Sequence, residues 1–192
     1  MESQLQVIVI AGPNGAGKST AAAYLLPAGM TYVNADEIAK ALPNYPSRNA
    51  DIEAGRLVLE QLEDLELHRA SFAVETTLAG RTLAPRVARL RQAGYRFRLI
   101  FVWLPSADLS VQRVASRVRS GGHDIPEATI RRRYDSGLSN FFSLYQPIAD
   151  KWTVLETARG GTPAIIAEGR IGGDVRIEDP VLWLRVQEGG NR

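Results

Sequence analysis

Eight residues, GPNGAGKS from Gly12 to Ser19, satisfy the spacing G-x-x-x-x-G-K-[ST] in full. They follow an apolar run, LQVIVIAG, and precede an alanine-rich one, KSTAAAYLLP. This is the strand–loop–helix context that gives the spacing a mechanism. Glycines let such a loop curl until successive backbone N–H groups point at a phosphate chain. The helix opening near Lys18 adds its positive dipole end. The expected phosphate contacts are Gly12, Pro13, Asn14, Gly15, Ala16, Gly17, Lys18, Ser19 and Thr20. Lys18 should reach the β- and γ-phosphates, and the Ser19 hydroxyl should hold Mg²⁺. ATP and Mg²⁺ are therefore the implied ligands, while the loop is silent on what the nucleotide is used for.

Ligands of such a sheet bind beyond the carboxyl ends of its strands, and two carboxylates fall there. Asp36 closes a short apolar run in VNADEIA, and Glu75 closes another in FAVETT. Either could accept a proton from a hydroxyl attacking the γ-phosphate or hold a metal-bound water. Asp36 reads as a base or a substrate contact, and equally as the N-cap of EIAKAL. Glu75 reads as a substrate contact, a magnesium-water ligand or a strand-end carboxylate bonded to nearby backbone. Thr76 and Thr77 add hydroxyls at a turn, and Arg81 is a candidate contact for an anionic substrate or a solvated charge.

The segment VRSGGHDIPEATIRRRY, from Val118 to Tyr134, concentrates arginine beside a Gly-Gly-His turn. Its Ser-Gly-Gly is shared with the signature loop of ABC ATPases, but no apolar strand ending in Asp-Glu accompanies it. A nucleic-acid patch built from Arg113, Arg117, Arg119 and Arg131 to Arg133 would lack interleaved aromatics and a pronounced basic face, so a polymeric nucleic acid is disfavoured. The third reading is a helical lid over about 107–138. Val111, Val114 and Val118 form one apolar stripe, Ile130, Tyr134 and Leu138 another, and Gly121 and Gly122 give the turn between them mobility. Three consecutive arginines are splayed by ~100° each on a helix, so only one or two reach inward. Arg117 and Arg133 are the expected γ-phosphate contacts, in the manner of an arginine finger; a solvated basic face is the plain alternative. His123 reads as a turn residue and His68 as a favourable charge at a helix end.

The elements that must place these groups alternate. Strands are expected at Leu5 to Gly12, in MTYVNAD, SFAVETT and YRFRLIFVWL, and helices from Lys18 to a stop before Pro27, over about Ala50 to His68 and in LAPRVARLRQAG. In the second helix Ile52, Leu59 and Leu62 recur near helical spacing. KWTVLETA and PAIIAEG suggest a last strand and a hairpin partner, and NFFSLYQP should pack the lid onto the sheet. The tail from about 169 to 192 is Gly-rich and charged, with one apolar cluster, PVLWL, able to fold back on the body. Trp103, Trp152 and Trp183 read as packing residues. The pattern is that of an α/β P-loop NTPase, a three-layer sandwich on a mostly parallel sheet.

Composition agrees. The chain has 192 residues, 45% of them hydrophobic, and a net charge of +2, which suits one globular domain spanning 1–192. Absence of cysteine excludes disulfides and thiolate metal sites, and two histidines leave little for zinc. No apolar run approaches the ~20 residues that span a bilayer, and the start lacks a basic signal-peptide region. A cytoplasmic location and no membrane partner are expected.

Taken in order, GPNGAGKST, NADEIA, ETTLAG and RVRSGGHDIPEATIRRRY resemble the zeta-toxin-type P-loop kinases, in particular their short stand-alone branch, also labelled ABC-type ATPase or kinase. The resemblance runs from about Val7 to Trp152. It implies ATP-dependent phosphorylation of a small-molecule hydroxyl, which in the well-known zeta toxins is the 3′-hydroxyl of UDP-N-acetylglucosamine. The family's base, an aspartate after the second strand, falls on Asp36, and Glu75 matches a substrate-side acidic position. A protein antitoxin is an implied partner. The long C-terminal extension of the larger toxins is not expected here. The alternative from another class is a nucleotide-binding switch or ATPase acting on a protein or nucleic-acid partner.

Overall fold

The computed structural model describes residues 4–122, 124–157 and 163–190; the expectation for His123 lies outside them. The order is β1 (Gln6–Ala11), α1 (Lys18–Leu25), β2 (Thr31–Val33), α2 (Ala35–Lys40), α3 (Arg48–Leu67), β3 (Phe72–Thr76), α4 (Leu83–Gln92) and β4 (Arg96–Trp103). There follow α5 (Ala107–Arg119), α6 (Glu127–Asn140), β5 (Lys151–Glu156), β6 (Ala164–Gly169), β7 (Arg176–Ile177) and α7 (Pro180–Gly190). They form one sheet ordered β2-β3-β1-β4-β5-β6-β7. The first five of these strands are parallel; β6 runs antiparallel to β5, and β7 antiparallel to β6.

β1 is central and covered on both faces, which is why it reads as an unbroken apolar run. Val7, Val9 and Ala11 face a core closed by Leu62, Val87, Leu90, Phe141 and Trp183. Ile8 and Ile10 face a second core closed by Ala21 and Ala22 of α1. The result is the expected three-layer α/β P-loop sandwich.

The structure corrects the sequence reading at several places. In α3, Ile52 and Leu59 are exposed and only Leu62 of the expected set is buried. The inward face runs instead through Ala54, Val58, Leu62 and Leu65, because α3 packs against α2 through small alanines before it reaches the sheet. The tail carries a helix, α7, that composition concealed. Asp179 accepts from the Leu182 N–H and Pro180 follows it, the usual chemistry of a helix start. The PVLWL cluster does fold back: Trp183 stacks on Trp152, centroids 5.5 Å apart. Beyond α6 the chain winds into a π-turn, Phe141–Tyr145, and Phe141 seats on Phe101 at 4.9 Å.

Gly121 and Gly122 form a helix stop. Gly121 has φ 85°, its N–H donates to Val118 O at 2.9 Å, and the Gly122 N–H donates to Arg117 O at 3.0 Å. This is the paired bonding of a Schellman cap, for which Gly121 supplies the left-handed conformation. The α5–α6 pair is further braced by Val114, Ile125 and Ile130. Arg131 ties it from outside, 2.7 Å from Asp108 and 2.8 Å from Glu127.

Candidate active site

The loop between β1 and α1 is shaped from behind. Gly12 has φ 139°, and a Cβ there would meet Val102 O at 2.2 Å; only glycine lets the chain turn this close to β4. Outward-facing carbonyls are held by the scaffold. Asn14 O accepts from the Ser110 hydroxyl of α5, Ala16 O from Thr157, and Gly15 O from Arg113 at 3.3 Å. Because a trans peptide sets C=O and the following N–H on opposite sides, these anchors aim the Gly15 and Gly17 N–H groups toward the cleft. Lys18 is 8% exposed and donates to Pro13 O at 3.1 Å. Burial pulls its ammonium pKa down, with Glu75 and Asp36 opposing that shift. An incoming phosphate would supply the counter-charge that burial takes away.

Glu75 is the hub of the inner wall. The β2–β3 register pairs Val33 with Val74, and the next step sets Asn34 beside Glu75. One carboxylate oxygen, Oε2, accepts from Ser19 Oγ at 2.9 Å, from Asn34 Nδ2 at 3.1 Å and from the Tyr32 hydroxyl. Oε1 stands 3.7 Å from Lys18 Nζ. Asn34 also caps α2, its Oδ1 accepting from the Asp36 N–H at 2.9 Å. The cap alternative for Asp36 is thereby overturned: Asn34 takes that role and leaves the Asp36 carboxylate to face α5. There it lies 3.7 Å from Arg117 Nη1, with both side chains half-exposed.

Two cavities meet at Asp36. A cleft of about 280 Å³ is lined by Asn14, Gly15, Gly17, Lys18, Ser19, Thr20, Glu75, Arg113, Arg117 and Asp36. A second, of about 400 Å³, lies between α2, α3 and the start of α6 and is lined by Asp36, Asp51, Ala54, Asp124, Ile125 and Arg133, among others. Of the arginine run, Arg133 faces this second cavity, Arg132 is exposed, and Arg131 is the brace described above. Burial lowers the Arg133 pKa, with Arg132 adding to the effect and Asp36 and Asp51 opposing it. Thr77 and Arg81 line neither cavity. Thr77 sits in a turn whose carbonyl Gly137 approaches closely, and Arg81 is exposed.

Sequence reasoning missed Tyr32, Asn34 and Thr157. Alternation held a partial signal for Tyr32, since it pairs with Ala73 and shares the α1 face with Glu75. Asn34 needed the β2–β3 register, and Thr157 needed the packing of α1 beside β5.

Residues 7–136 match the family described as AAA domain. An uncharacterized protein of Haemophilus influenzae is 30% identical over 131 residues, 68% of this chain and 94% of its own length. Among solved structures, a chain of the AvrRxo1-ORF1:ORF2 complex with ATP gives a TM-score of 0.75 at 19% identity, covering 96% of this chain. This chain spans 64% of that one. A chain of the PezAT toxin–antitoxin system of Streptococcus pneumoniae gives 0.67 at 16% identity, over 99% of this chain and 86% of that one. No helix among the described residues is long and apolar enough to cross a membrane.

Proposed function

The chain belongs to the AAA-domain family and has the fold of the zeta-toxin-type P-loop kinases, and from that premise we propose that it transfers the γ-phosphate of ATP to a hydroxyl of a small molecule. The observation that carries this reading is the junction at Asp36. A carboxylate standing between a phosphate-sized cleft and a second cavity is placed to receive a proton from a hydroxyl in one as it attacks a phosphoryl group in the other. In that step the acceptor oxygen bonds to the γ-phosphorus and the bond to the β–γ bridging oxygen breaks. The electron pair leaves with ADP, and the hydroxyl proton passes to Asp36. Lys18 and Arg117 bear on the phosphoryl oxygens, and Arg133 lines the acceptor side.

The residues fit Mg²⁺ carried by the nucleotide. No cluster of three or more His, Cys, Asp or Glu among the described residues could hold a metal unaided. Ser19, however, gives its proton to Glu75 and so presents oxygen lone pairs to the cleft. Ser19 would hold such an ion beside the nucleotide, where it would offset the negative charge of the phosphates. A sugar nucleotide such as UDP-N-acetylglucosamine is one acceptor of suitable class, and a protein antitoxin covering the cleft is the partner class suggested by the resemblance.

Phosphate transfer to a panel of sugar nucleotides, nucleosides and amino sugars tests the reading. Asp36→Asn is expected to lower kcat by about 10²–10⁴-fold, the range for loss of a general base. Transfer that survives the substitution unchanged removes Asp36 from the chemistry. ATP hydrolysis with no acceptor phosphorylated supports instead a nucleotide switch acting on a macromolecular partner.

A further inference from the structure

We propose that Tyr32 and Asn34 are positioning residues that pin Glu75 to the nucleotide side of the cleft, so that Glu75 orients Ser19 toward the cation and does not contact the acceptor. The proposal rests on the kinase reading above and decides between the two roles that the sequence leaves open for Glu75.

The argument begins with the donors that reach one atom. A carboxylate oxygen offers two lone pairs, and Glu75 Oε2 already meets three donors, from Ser19, Asn34 and Tyr32. An acceptor hydroxyl approaching Oε2 would have to displace one of them. The Ser19 hydroxyl has a single proton, and with that proton on Glu75 its lone pairs are left for a cation.

The donors are themselves constrained. Burial first, then the bond to Glu75, push the Tyr32 pKa far above its ordinary value, so the phenol remains a donor throughout the working range. Asn34 is 5% exposed, and its amide has only one productive orientation. The oxygen end must face the Asp36 N–H, which turns the NH₂ end toward Glu75. The same side chain thus joins the helix carrying Asp36 to the wall that orients Ser19.

Pinning Oε2 has a second effect, on Lys18. Oε1 is kept 3.7 Å from the ammonium, outside direct hydrogen-bond contact.

Equilibrium ATP binding by calorimetry, in Mg²⁺ and in EDTA, tests this with wild type, Tyr32→Phe and Asn34→Ser. Serine retains an N-cap acceptor but loses the donor to Glu75, and thermal melts confirm folding. Each variant is expected to lose roughly five- to tenfold of the Mg²⁺-dependent gain in ATP affinity, the net scale of one hydrogen bond. Affinity in EDTA and the acceptor KM should stay unchanged. A wild-type Mg²⁺ gain with a raised acceptor KM would place Glu75 on the acceptor side and overturn the proposal. Equal losses in Mg²⁺ and EDTA would reduce both residues to structural roles and overturn it too. Wild-type protein that binds ATP with no Mg²⁺ gain would instead sink the kinase reading itself.

Discussion

On the sheet side of the cleft, Lys18 and Asn34 are buried, the loop carbonyls are tied to Ser110, Thr157 and Arg113, and Glu75 collects three hydrogen bonds on one oxygen. On the α5–α6 side, Asp36 and Arg117 are half-exposed and meet at 3.7 Å, too far apart for a hydrogen bond. The first wall is organised before any ligand arrives. The second presents half-exposed charges, Arg117 on the braced α5–α6 pair and Asp36 facing it from the start of α2. On the kinase reading proposed above, that difference would give binding to the first wall and rate to the second, because interactions that tighten only in the transition state raise kcat.

Lys18→Ala tests the sheet wall and should have the largest effect. Turnover is expected to fall by at least about 10³-fold, with ATP affinity falling alongside it, since the ammonium serves ground and transition states alike. Arg117→Ala tests the other wall: kcat should drop by about 10²-fold while ATP affinity stays within about threefold of wild type. If Arg117→Ala weakens ATP binding as much as it slows turnover, the division of labour between the walls is wrong. Steady-state kinetics and calorimetry on the same preparations separate these outcomes.

Gly122→Ala approaches the second wall without touching a charge. A Cβ at Gly122 would lie 2.6 Å from Arg117 Cγ and 3.0 Å from Arg117 O, so the arginine stem must move. A displacement of this kind is expected to lower kcat by roughly tenfold. An unchanged kcat would show that Arg117 tolerates re-aiming and that its exact station in the unliganded protein carries no weight.

The phosphate loop was legible because its geometry depends on backbone conformations that glycine alone adopts freely, and glycine spacing is written in the chain. Strand-end carboxylates were legible for a related reason: apolar runs end where the sheet does, and Asp36 and Glu75 mark two such ends. What joins them was hidden. Asn34 and Tyr32 meet Glu75 through a strand register set across some forty residues, which no local pattern encodes. Local patterns also misled where packing was helix-on-helix. Ile52 and Leu59 looked like core, yet the inward face of α3 runs through Ala54, Val58, Leu62 and Leu65. Gly121 read as part of a turn, and composition could not show that its left-handed conformation, φ 85°, closes α5. The start of α7 was readable at Asp179-Pro180, but the glycines and charges around it masked the signal.

The smallest effect is expected far from the cleft, at an ion pair that shares the tight geometry of the first wall but none of its chemistry. Arg91 grips Asp150 with Nη2 at 2.8 Å and Nε at 3.2 Å, and Asp150 also accepts from the Phe97 N–H at 2.8 Å. These groups lie near the N-terminal ends of β4 and β5, opposite the phosphate loop. Burial pushes the Asp150 pKa up, but the Arg91 fork and the Phe97 N–H outweigh it and leave the carboxyl below its ordinary value. A carboxyl depressed in the folded state binds its proton less readily there than in the unfolded chain. Its stabilisation is therefore present above the unfolded value and lost as pH falls through the folded one. Arg91→Ala should cost about 1–2 kcal/mol at neutral pH, read by denaturant unfolding. The gap from wild type should narrow progressively below about pH 4, and kcat should not change. A gap that persists at low pH would mean that Arg91 acts through packing of its stem. A changed kcat would mean that the contrast between the two walls reports global stability instead of local design.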